Sequence, residues 1–251
     1  MNLTRTRITD KALGTIKTNR NLRSLYLGET AISDGGITAL AELRMLLVLH
    51  LSWTDITDRS LEKLSAMQEL RDLSVFGTQV GDNGVTALKE TPFLSALSLG
   101  KTKITNNAIE SLSAHNTELV ELDLQGCAVD DDCINHLVKL KHLRKVTLNG
   151  TMVTVEGLRN LKANQRIKEL WLGSSVDGGS VFDILRDFDN LQVVYLMGLQ
   201  NLRRDEIRTQ IRQLKKLREI HFLLCNVGKE DIGRIRAANP GVRITVLSAE
   251  E

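Results

Sequence analysis

The stretch VLHLSWTDITDRSLEKL, Val48 to Leu64, contains the pattern on which the fold depends. Leu49 and Leu51 are two residues apart, which places both side chains on one face of a β-strand. Leu61 and Leu64 are three residues apart, a spacing typical of a helix. The stretch therefore predicts a strand, a turn and a short helix. Trp53, a large aromatic residue just after the strand leucines, is not required by this framework.

The same pattern recurs along the whole chain of 251 residues. The second strand leucine, or an apolar residue in its place, returns every 24 residues, apart from one step of 25 and one of 26. These positions are Leu3, Leu27, Leu51, Val75, Leu99, Leu124, Leu148, Leu172, Leu196, Phe222 and Val246. A constant period of this length is typical of a solenoid, in which stacked coils share a core that one coil cannot form alone. We therefore expect a single domain, residues 1–251, of about ten coils.

An aspartate stands just before the helical leucines in several repeats, at Asp10, Asp34, Asp58 and Asp82. A carboxylate at a helix start can accept hydrogen bonds from free N–H groups and complements the helix dipole. We therefore expect these aspartates to cap their own helices. In AVDDDCINHL, residues 128–137, Asp131 has the equivalent position, so this acidic run predicts a solvated helix start rather than a metal site.

The repeat unit, seen as TAISDGGI at residues 30–37 and TQVGDNGV at residues 78–85, resembles that of leucine-rich repeat proteins over about residues 1–246. Its 24-residue form is similar to the ribonuclease-inhibitor-like or cysteine-containing subclass found in bacterial and protist proteins. Cys127 and Cys225 occupy a slot that holds threonine in other repeats. The resemblance implies an α/β solenoid, a right-handed arc with a parallel sheet on the concave face and helices on the convex face. It also implies binding of a partner protein.

The two ends of the array differ from its middle. The first repeat is truncated, since it begins at its final strand position without the preceding leucines, so we expect a missing upstream segment. An open apolar edge would otherwise favour self-association. The residues of that edge are Leu3, Ile8, Leu13 and Ile16. At the other end, residues 240–251 are expected to form a C-terminal cap.

Composition and motifs argue against several classes of function. The net charge is only +2, so we expect neither nucleic acid nor a membrane as a partner. Cys127, Cys133 and Cys225 show no disulfide or zinc spacing, which favours a cytoplasmic location without metal or cofactor. The five histidines fall in different coils and no phosphate-binding motif is present, so we expect no catalytic residues and no enzyme activity.

One segment near the C-terminus is strongly basic. LRRDEIRTQIRQLKKLRE, residues 202–219, predicts an amphipathic helix with its isoleucines facing the core and its cations facing solvent. An ordinary convex solvated face explains this pattern. A second partner or an anionic surface is the alternative.

The register of the strands identifies the side chains that point away from the core, because side chains alternate along a strand. Both tryptophans and both tyrosines fall in these outward columns or directly beside them. Together with their neighbours they predict two clusters, separated by small residues and by the acidic Asp72, Glu121 and Asp123. The predicted partner-binding residues are Tyr26, His50, Trp53, Phe76, Asp123, Trp171, Tyr195, Met197 and His221.

These columns predict a groove with two aromatic ends and a partly acidic middle. Tryptophan and tyrosine often anchor protein interfaces, so the chain is predicted to be a protein interaction module. An extended or helical partner segment with a few basic residues would suit such a groove. Alternatively, the aromatic side chains only cover the sheet and pack against one another. Three other roles remain open: substrate recognition in a ubiquitin ligase, regulation of an upstream catalytic domain, and a structural scaffold.

Overall fold

In the computed structural model, which describes residues 1–247 apart from the side chains of residues 204, 205 and 229, strands and helices alternate. The strands are β1 (Ser24–Tyr26), β2 (Val48–His50), β3 (Asp72–Ser74), β4 (Ala96–Ser98), β5 (Glu121–Asp123), β6 (Lys145–Thr147), β7 (Glu169–Leu172), β8 (Val193–Met197), β9 (Glu219–Leu223) and β10 (Arg243–Leu247). They form one parallel sheet in sequence order. The predicted α/β leucine-rich repeat solenoid is confirmed.

Helices connect the strands. They are α1 (Asp10–Ile16), α2 (Asp34–Leu40), α3 (Asp58–Leu64), α4 (Asp82–Ala87), α5 (Asn106–His115), α6 (Ile134–Leu137), α7 (Val155–Leu161), α8 (Val181–Leu185), α9 (Arg204–Gln213) and α10 (Lys229–Ala238). The predicted basic helix over residues 202–219 is shorter than expected: α9 ends at Gln213, and Glu219 already begins β9. Lys215 and Lys216 therefore lie in the turn that follows the helix.

The core lies between the sheet and the helices. In the coil that contains the opening stretch, Leu49, Leu51, Leu61 and Leu64 have no exposed surface. Neighbouring strands are in register, so that Leu49 pairs with Leu25 on one side and with Leu73 on the other. Equivalent side chains of successive coils therefore form rows, with a spacing of about 4.8 Å between strands.

The aspartates at the helix starts do not cap their own helices, so that prediction is wrong. The residue before each aspartate is the N-cap, as at Ser33, whose Oγ accepts a hydrogen bond from the N–H of Gly35. The Asp34 carboxylate instead accepts from the N–H of Thr57 at 2.8 Å and from its hydroxyl at 2.7 Å, one coil further on. The physical reason is that the first helical residue points toward the neighbouring coil, where an N-cap needs a partner.

This aspartate ladder recurs along the solenoid. The pairs Asp10–Ser33, Asp82–Thr105 and Asp131–Thr154 have the same two bonds as Asp34–Thr57. Asp131 is therefore the counterpart of Asp82, as predicted. Partial burial acts to raise the pKa of the Asp34 carboxyl, but hydrogen bonds from Ser60 and Thr57 outweigh it and lower this pKa below its ordinary value.

The predicted apolar edge at the N-terminal end is smaller than expected. Leu13 has no exposed surface and Ile16 is only 9% exposed, because α1 packs against α2. Leu3 and Ile8 are half-buried. Of the four residues expected at an open edge, only these two retain substantial exposed surface.

Candidate functional site on the concave face

The outward side chains of the sheet follow one another in a row because the strands are in register. Trp171 of β7 pairs with Thr147 of β6 on one side and with Tyr195 of β8 on the other, and Tyr195 pairs with His221 of β9. Three ring-bearing residues thus occupy equivalent positions of three successive coils.

These three rings form a stack, which we call the ring stack (Trp171, Tyr195 and His221). The ring centroids of Trp171 and Tyr195 lie 3.6 Å apart with an interplanar angle of 15°, and those of Tyr195 and His221 lie 4.1 Å apart at 7°. The Trp171 indole N–H donates to Glu169 Oε1 at 2.7 Å. In this stack Trp171 and Tyr195 are half-buried, whereas His221 is buried with only 9% of its surface exposed.

Acidic residues border the ring stack and affect its chemistry. Burial raises the pKa of the Tyr195 phenol, and the charges of Glu169 and Glu219 raise it further. His221 Nε2 lies 3.3 Å from Glu219 Oε2, although its direction is not that of a hydrogen bond and the nitrogen is buried without a hydrogen-bond partner. The Tyr195 phenol therefore ionises only at a pH above the ordinary range for tyrosine.

Met197 lies in the next outward column, beside the ring stack. Its sulfur accepts a weak hydrogen bond from Asn149 Nδ2 at 3.6 Å. The carbonyl oxygen of the Asn149 side chain is buried without a hydrogen-bond partner. Met197 was predicted as part of the site, but Asn149 was not.

At the N-terminal end, the four predicted residues form two separate pairs. Tyr26 and His50 meet edge to face on the sheet, with ring centroids 4.9 Å apart, and His50 Nε2 lies 3.2 Å from Asp72 Oδ1. Trp53 and Phe76 form the second pair, which we call the rim pair, with centroids 5.6 Å apart.

A cation that was not predicted as a site residue lies beside the rim pair. Lys101 Nζ lies 5.5 Å from the Trp53 ring centroid and 5.9 Å from that of Phe76, within the range of a cation–π contact. Trp53 is 51% exposed, so it is accessible to a partner.

The backbone of Trp53 is in the left-handed region, with φ of 56°. A residue with a Cβ atom costs about 1 to 2 kcal/mol in this conformation. The equivalent position also has positive φ in eight other coils, with glycine in four of them and a residue with a Cβ atom in the other four: Gly77, Gly126, Gly150 and Gly198, and Arg5, Glu29, Lys101 and Leu224. The Trp53 ring lies directly over Gly77, where an added Cβ would approach it to 2.6 Å. The position of Trp53 thus depends on glycine in the next coil.

A cavity of about 360 Å³ lies on the concave face between His50 and Trp171. Its lining residues are His50, Asp72, Ser74, Ala96, Leu97, Ser98, Glu121, Leu122, Asp123, Gln125, Lys145, Thr147 and Trp171. Three carboxylates and one ammonium group are among them, so the cavity is negatively charged. The structure thus places the predicted acidic middle, Asp72, Glu121 and Asp123, in one cavity between the predicted clusters.

The charged groups of the cavity are unequally neutralised. Asp123 Oδ2 accepts from the Ser98 hydroxyl at 2.8 Å and Oδ1 accepts from the N–H of Gln125 at 3.0 Å, both neutral donors. Lys145 Nζ is shared between Glu169 at 3.3 Å and Glu121 at 3.8 Å. Lys145 and Glu169 were not predicted. Each is the first residue of its strand, and the column of first strand residues can be identified from the sequence as clearly as the other columns.

Three further observations concern metal, thiol and membrane chemistry. Among the side chains that the structure describes, no group of three or more His, Cys, Asp or Glu is placed to hold a metal ion. Burial, together with the nearby aspartates, raises the pKa of the Cys133 thiol to about 12. Within residues 1–247, no helix is long and apolar enough to cross a membrane.

Comparison with known proteins addresses the fold. A family model described as leucine-rich repeat matches residues 18–41, 42–65, 67–89 and 115–132. No curated protein sequence matches the chain. The crystal structure of an internalin, inlF, from Listeria monocytogenes is similar with a TM-score of 0.59 and 20% sequence identity, over 97% of this chain and 78% of that chain. Internalin C2 of the same organism gives a TM-score of 0.49 and 20% identity, over 86% and 76%.

At this identity, inlF is informative about the fold alone. Its match extends over nearly the whole chain, including the coils that the family model does not match. The matches to the family model and to inlF agree with the 24-residue period and with the ten-stranded parallel sheet. The chain therefore has the leucine-rich repeat fold.

Proposed function

We propose that the chain binds a partner protein through its concave face, with a basic side chain of the partner in the cavity between His50 and Trp171. Leucine-rich repeat folds generally mediate protein–protein interactions. The observation that carries the proposal is the negatively charged cavity of about 360 Å³, bounded by an aromatic ring.

The chemistry of the cavity supports a cationic group as its occupant. Among the described residues, Asp123 accepts hydrogen bonds from the Ser98 hydroxyl and the N–H of Gln125, both neutral donors, and Asp72 Oδ1 lies 3.2 Å from His50 Nε2. An arginine guanidinium can bind a carboxylate with two parallel hydrogen bonds and also stack on an indole. Trp171 provides such a ring at the wall of the cavity.

The experiment is affinity capture with mass spectrometry, comparing wild-type protein with Asp123→Asn and Trp171→Ala. We expect both variants to keep their circular dichroism spectrum and to lose the same partner. Met152→Ala, at an exposed position away from the cavity, is the matched control and should retain it.

Crosslinking of the captured complex then identifies the bound segment. A segment without lysine or arginine at the cavity contradicts the proposed occupant. A partner retained equally by Asp123→Asn, Trp171→Ala and the control contradicts the proposed face.

We further propose that the chain belongs to the 24-residue, ribonuclease-inhibitor-like subclass and acts in the cytoplasm without catalysis of its own. The constant step and the cysteines in the threonine slot support the subclass. Cys127 donates to Leu99 O at 3.1 Å, in the preceding coil, whereas Thr54 donates to Leu51 O in its own coil. An F-box or RING protein among the captured partners would favour a role in a ubiquitin ligase, and concentration-dependent light scattering would favour a scaffold.

A further inference from the structure

The turns that lead from each helix to the next strand share one edge of the solenoid, which we call the basic rim. Because the strands are in register, these turns lie side by side. The N–H of Lys168 donates to Arg144 O at 2.7 Å, and the N–H of Arg218 donates to Gln192 O at 2.8 Å. The rim comprises residues 17–23, 41–47, 65–71, 91–95, 116–120, 138–144, 162–168, 186–192, 214–218 and 239–242.

Charge is unevenly distributed between this rim and the rest of the chain. The whole chain has 33 lysines and arginines and 31 aspartates and glutamates. The rim contains 15 of these cations and five of these carboxylates, which leaves 18 cations and 26 carboxylates elsewhere. The formal net charge of +2 therefore consists of +10 on the rim and −8 on the remainder.

Four turns account for the excess, because residues 17–23, 138–144, 162–168 and 214–218 each contain three cations and no carboxylate. The last three of these turns lie in the C-terminal half of the chain and contain nine cations. Among the described residues, only one of these nine cations forms a salt bridge, Lys162 with Asp187 at 2.8 Å. The other eight are exposed: Lys139, Lys141, Arg144, Arg166, Lys168, Lys215, Lys216 and Arg218.

The repeat itself does not require these cations. Positive charge near a helix C-terminus complements the helix dipole, which explains some preference for this edge. However, the turns at residues 91–95, 116–120 and 239–242 contain no lysine or arginine, and they connect helix to strand equally well. Three cations in one turn therefore exceed what the dipole explains.

We propose that the basic rim docks on an anionic membrane surface. The cations cover the width of each turn and lie in three of four successive coils, so they form a patch rather than a line. The remaining turn, residues 186–192, lies within the patch and contains one cation and two carboxylates. Met45 and Phe93 are 41% and 47% exposed and lie in other turns of the same rim, so the three cationic turns themselves act through charge. Basic clusters bind phosphatidylserine surfaces through long-range electrostatic attraction to the anionic headgroups.

Other anionic partners fit the same patch less well. The three cationic turns contain no Phe, Tyr or Trp on which bases of a single strand could stack, and turns do not enter the major groove as a helix does. An acidic peptide would need a groove. A nearby cavity of about 540 Å³ is lined by residues such as Lys162, Arg186 and Asp189 but by none of the eight cations without a salt bridge.

The expectation that no membrane is a partner used the net charge of the whole chain. Attraction to a surface within about 10 Å, the screening length at 0.1 M salt, depends instead on the charges that face that surface. The separation into a positive rim and a negative remainder is the physical reason to revise that expectation.

The test is flotation of the full chain with phosphatidylcholine vesicles that contain phosphatidylserine, at low and at physiological salt. The rim variant is Lys141→Gln with Lys168→Gln and Lys215→Gln. Its matched control has the same loss of charge on the opposite edge, as Arg7→Gln, Arg59→Gln and Lys103→Gln. At about fivefold per cation, we expect the rim variant to bind roughly a hundredfold more weakly and the control to bind like wild type.

Four results would overturn the proposal: no binding of wild type to these vesicles at low salt, binding to pure phosphatidylcholine, equal loss in both triple variants, or tighter binding to duplex DNA or polyglutamate than to the vesicles. Circular dichroism verifies the fold, and the single variant Lys141→Gln replaces the triple if that one unfolds. Asp123→Asn should not reduce vesicle binding, which separates this proposal from the one for the concave face.

Discussion

The rim pair and the ring stack are both aromatic groups from neighbouring coils, but the chain holds them in different ways. Trp53 of the rim pair is 51% exposed and stands on a left-handed backbone. Trp171 of the ring stack extends from the middle of a strand and is half-buried, with its ring nearly parallel to that of Tyr195. Strand register alone is enough to place Trp171, whereas Trp53 needs an unfavourable backbone conformation and a glycine in the next coil.

The backbone conformation of Trp53 is shared by other coils. Glycine has positive φ at the equivalent position in four coils, but Arg5, Glu29, Lys101 and Leu224 also have φ between 53° and 60° there. The left-handed backbone is therefore a property of the repeat. What the repeat does not require at this position is a large exposed ring, which only Trp53 among these five residues provides.

The largest expected effect concerns the framework on which both aromatic groups rest. Leu49→Ala removes a side chain with no exposed surface, and we expect a loss of about 2 to 5 kcal/mol in the free energy of unfolding. His50→Ala, one residue further and on the outward face, should cost about 1 kcal/mol or less. Urea denaturation of both variants measures the two values. Equal losses would mean that the outward side chains also hold the sheet together.

The next effect tests the dependence of the rim pair on its glycine. Gly77→Ala introduces a Cβ at positive φ and against the Trp53 ring, so we expect a loss of about 2 to 3 kcal/mol. Gly126→Ala has a similar φ but open space, with only Lys101 Cγ at 3.5 Å, and should cost about 1 to 2 kcal/mol. Equal losses in thermal denaturation would show that the ring moves aside without cost.

A smaller effect isolates the backbone strain at Trp53. Both Trp53→Ala and Trp53→Gly remove the ring, but only glycine relieves the left-handed conformation. We therefore expect the glycine variant to be more stable than the alanine variant by about 1 kcal/mol. For Trp171→Ala and Trp171→Gly the order should reverse, because glycine weakens a strand. The same order at both sites would contradict the proposed difference between the two groups.

The smallest effect is a shift in titration within the ring stack. In Tyr26→Phe, Tyr195 is the only tyrosine, and its ionisation can be followed by absorbance near 295 nm. We expect a midpoint above the ordinary pKa of about 10, because burial and the charges of Glu169 and Glu219 disfavour the phenolate. Glu169→Gln should lower the midpoint, and an unchanged value would mean that burial acts alone.

The same shift predicts how stability depends on pH. The pKa of the Tyr195 phenol is raised in the folded state, so its contribution to stability is complete below the unfolded pKa. That contribution is lost as the pH rises through the folded pKa. The loss therefore falls at alkaline pH, and thermal denaturation of Tyr195→Phe should lack it.

The fold could be predicted from the sequence because two periodicities recur at one fixed step. Alternation at Leu49 and Leu51 determines which side of the strand faces the core, and the step of 24 residues places equivalent residues side by side. The row that contains Trp171, Tyr195 and His221 followed from this register. Adjacency in a parallel sheet is a property of register, so no further information was needed.

Details that depend on side-chain direction could not be predicted in the same way. The aspartates were expected to bond within their own coils, whereas their carboxylates reach the next coil. The conformation of Trp53 was missed although glycines at the same step, such as Gly77 and Gly150, indicate a left-handed position. The cation near the rim pair, Lys101, requires knowledge of where a long, flexible side chain lies.

The aspartate ladder determines where one repeat can be exchanged for another. Removal of residues 34–57, 24 in all, would join Ser33 directly to Asp58. Asp10 would still bind Ser33, and Asp58 would still bind the N–H of Gly81, so the ladder would lose only the Asp34–Thr57 bonds, both partners of which leave with the unit. Gain or loss of such a unit changes the length of the concave face, while the coils on either side keep the same ladder hydrogen bonds to their neighbours. Duplication of a 24-residue unit is therefore a simple route by which the protein can vary in size.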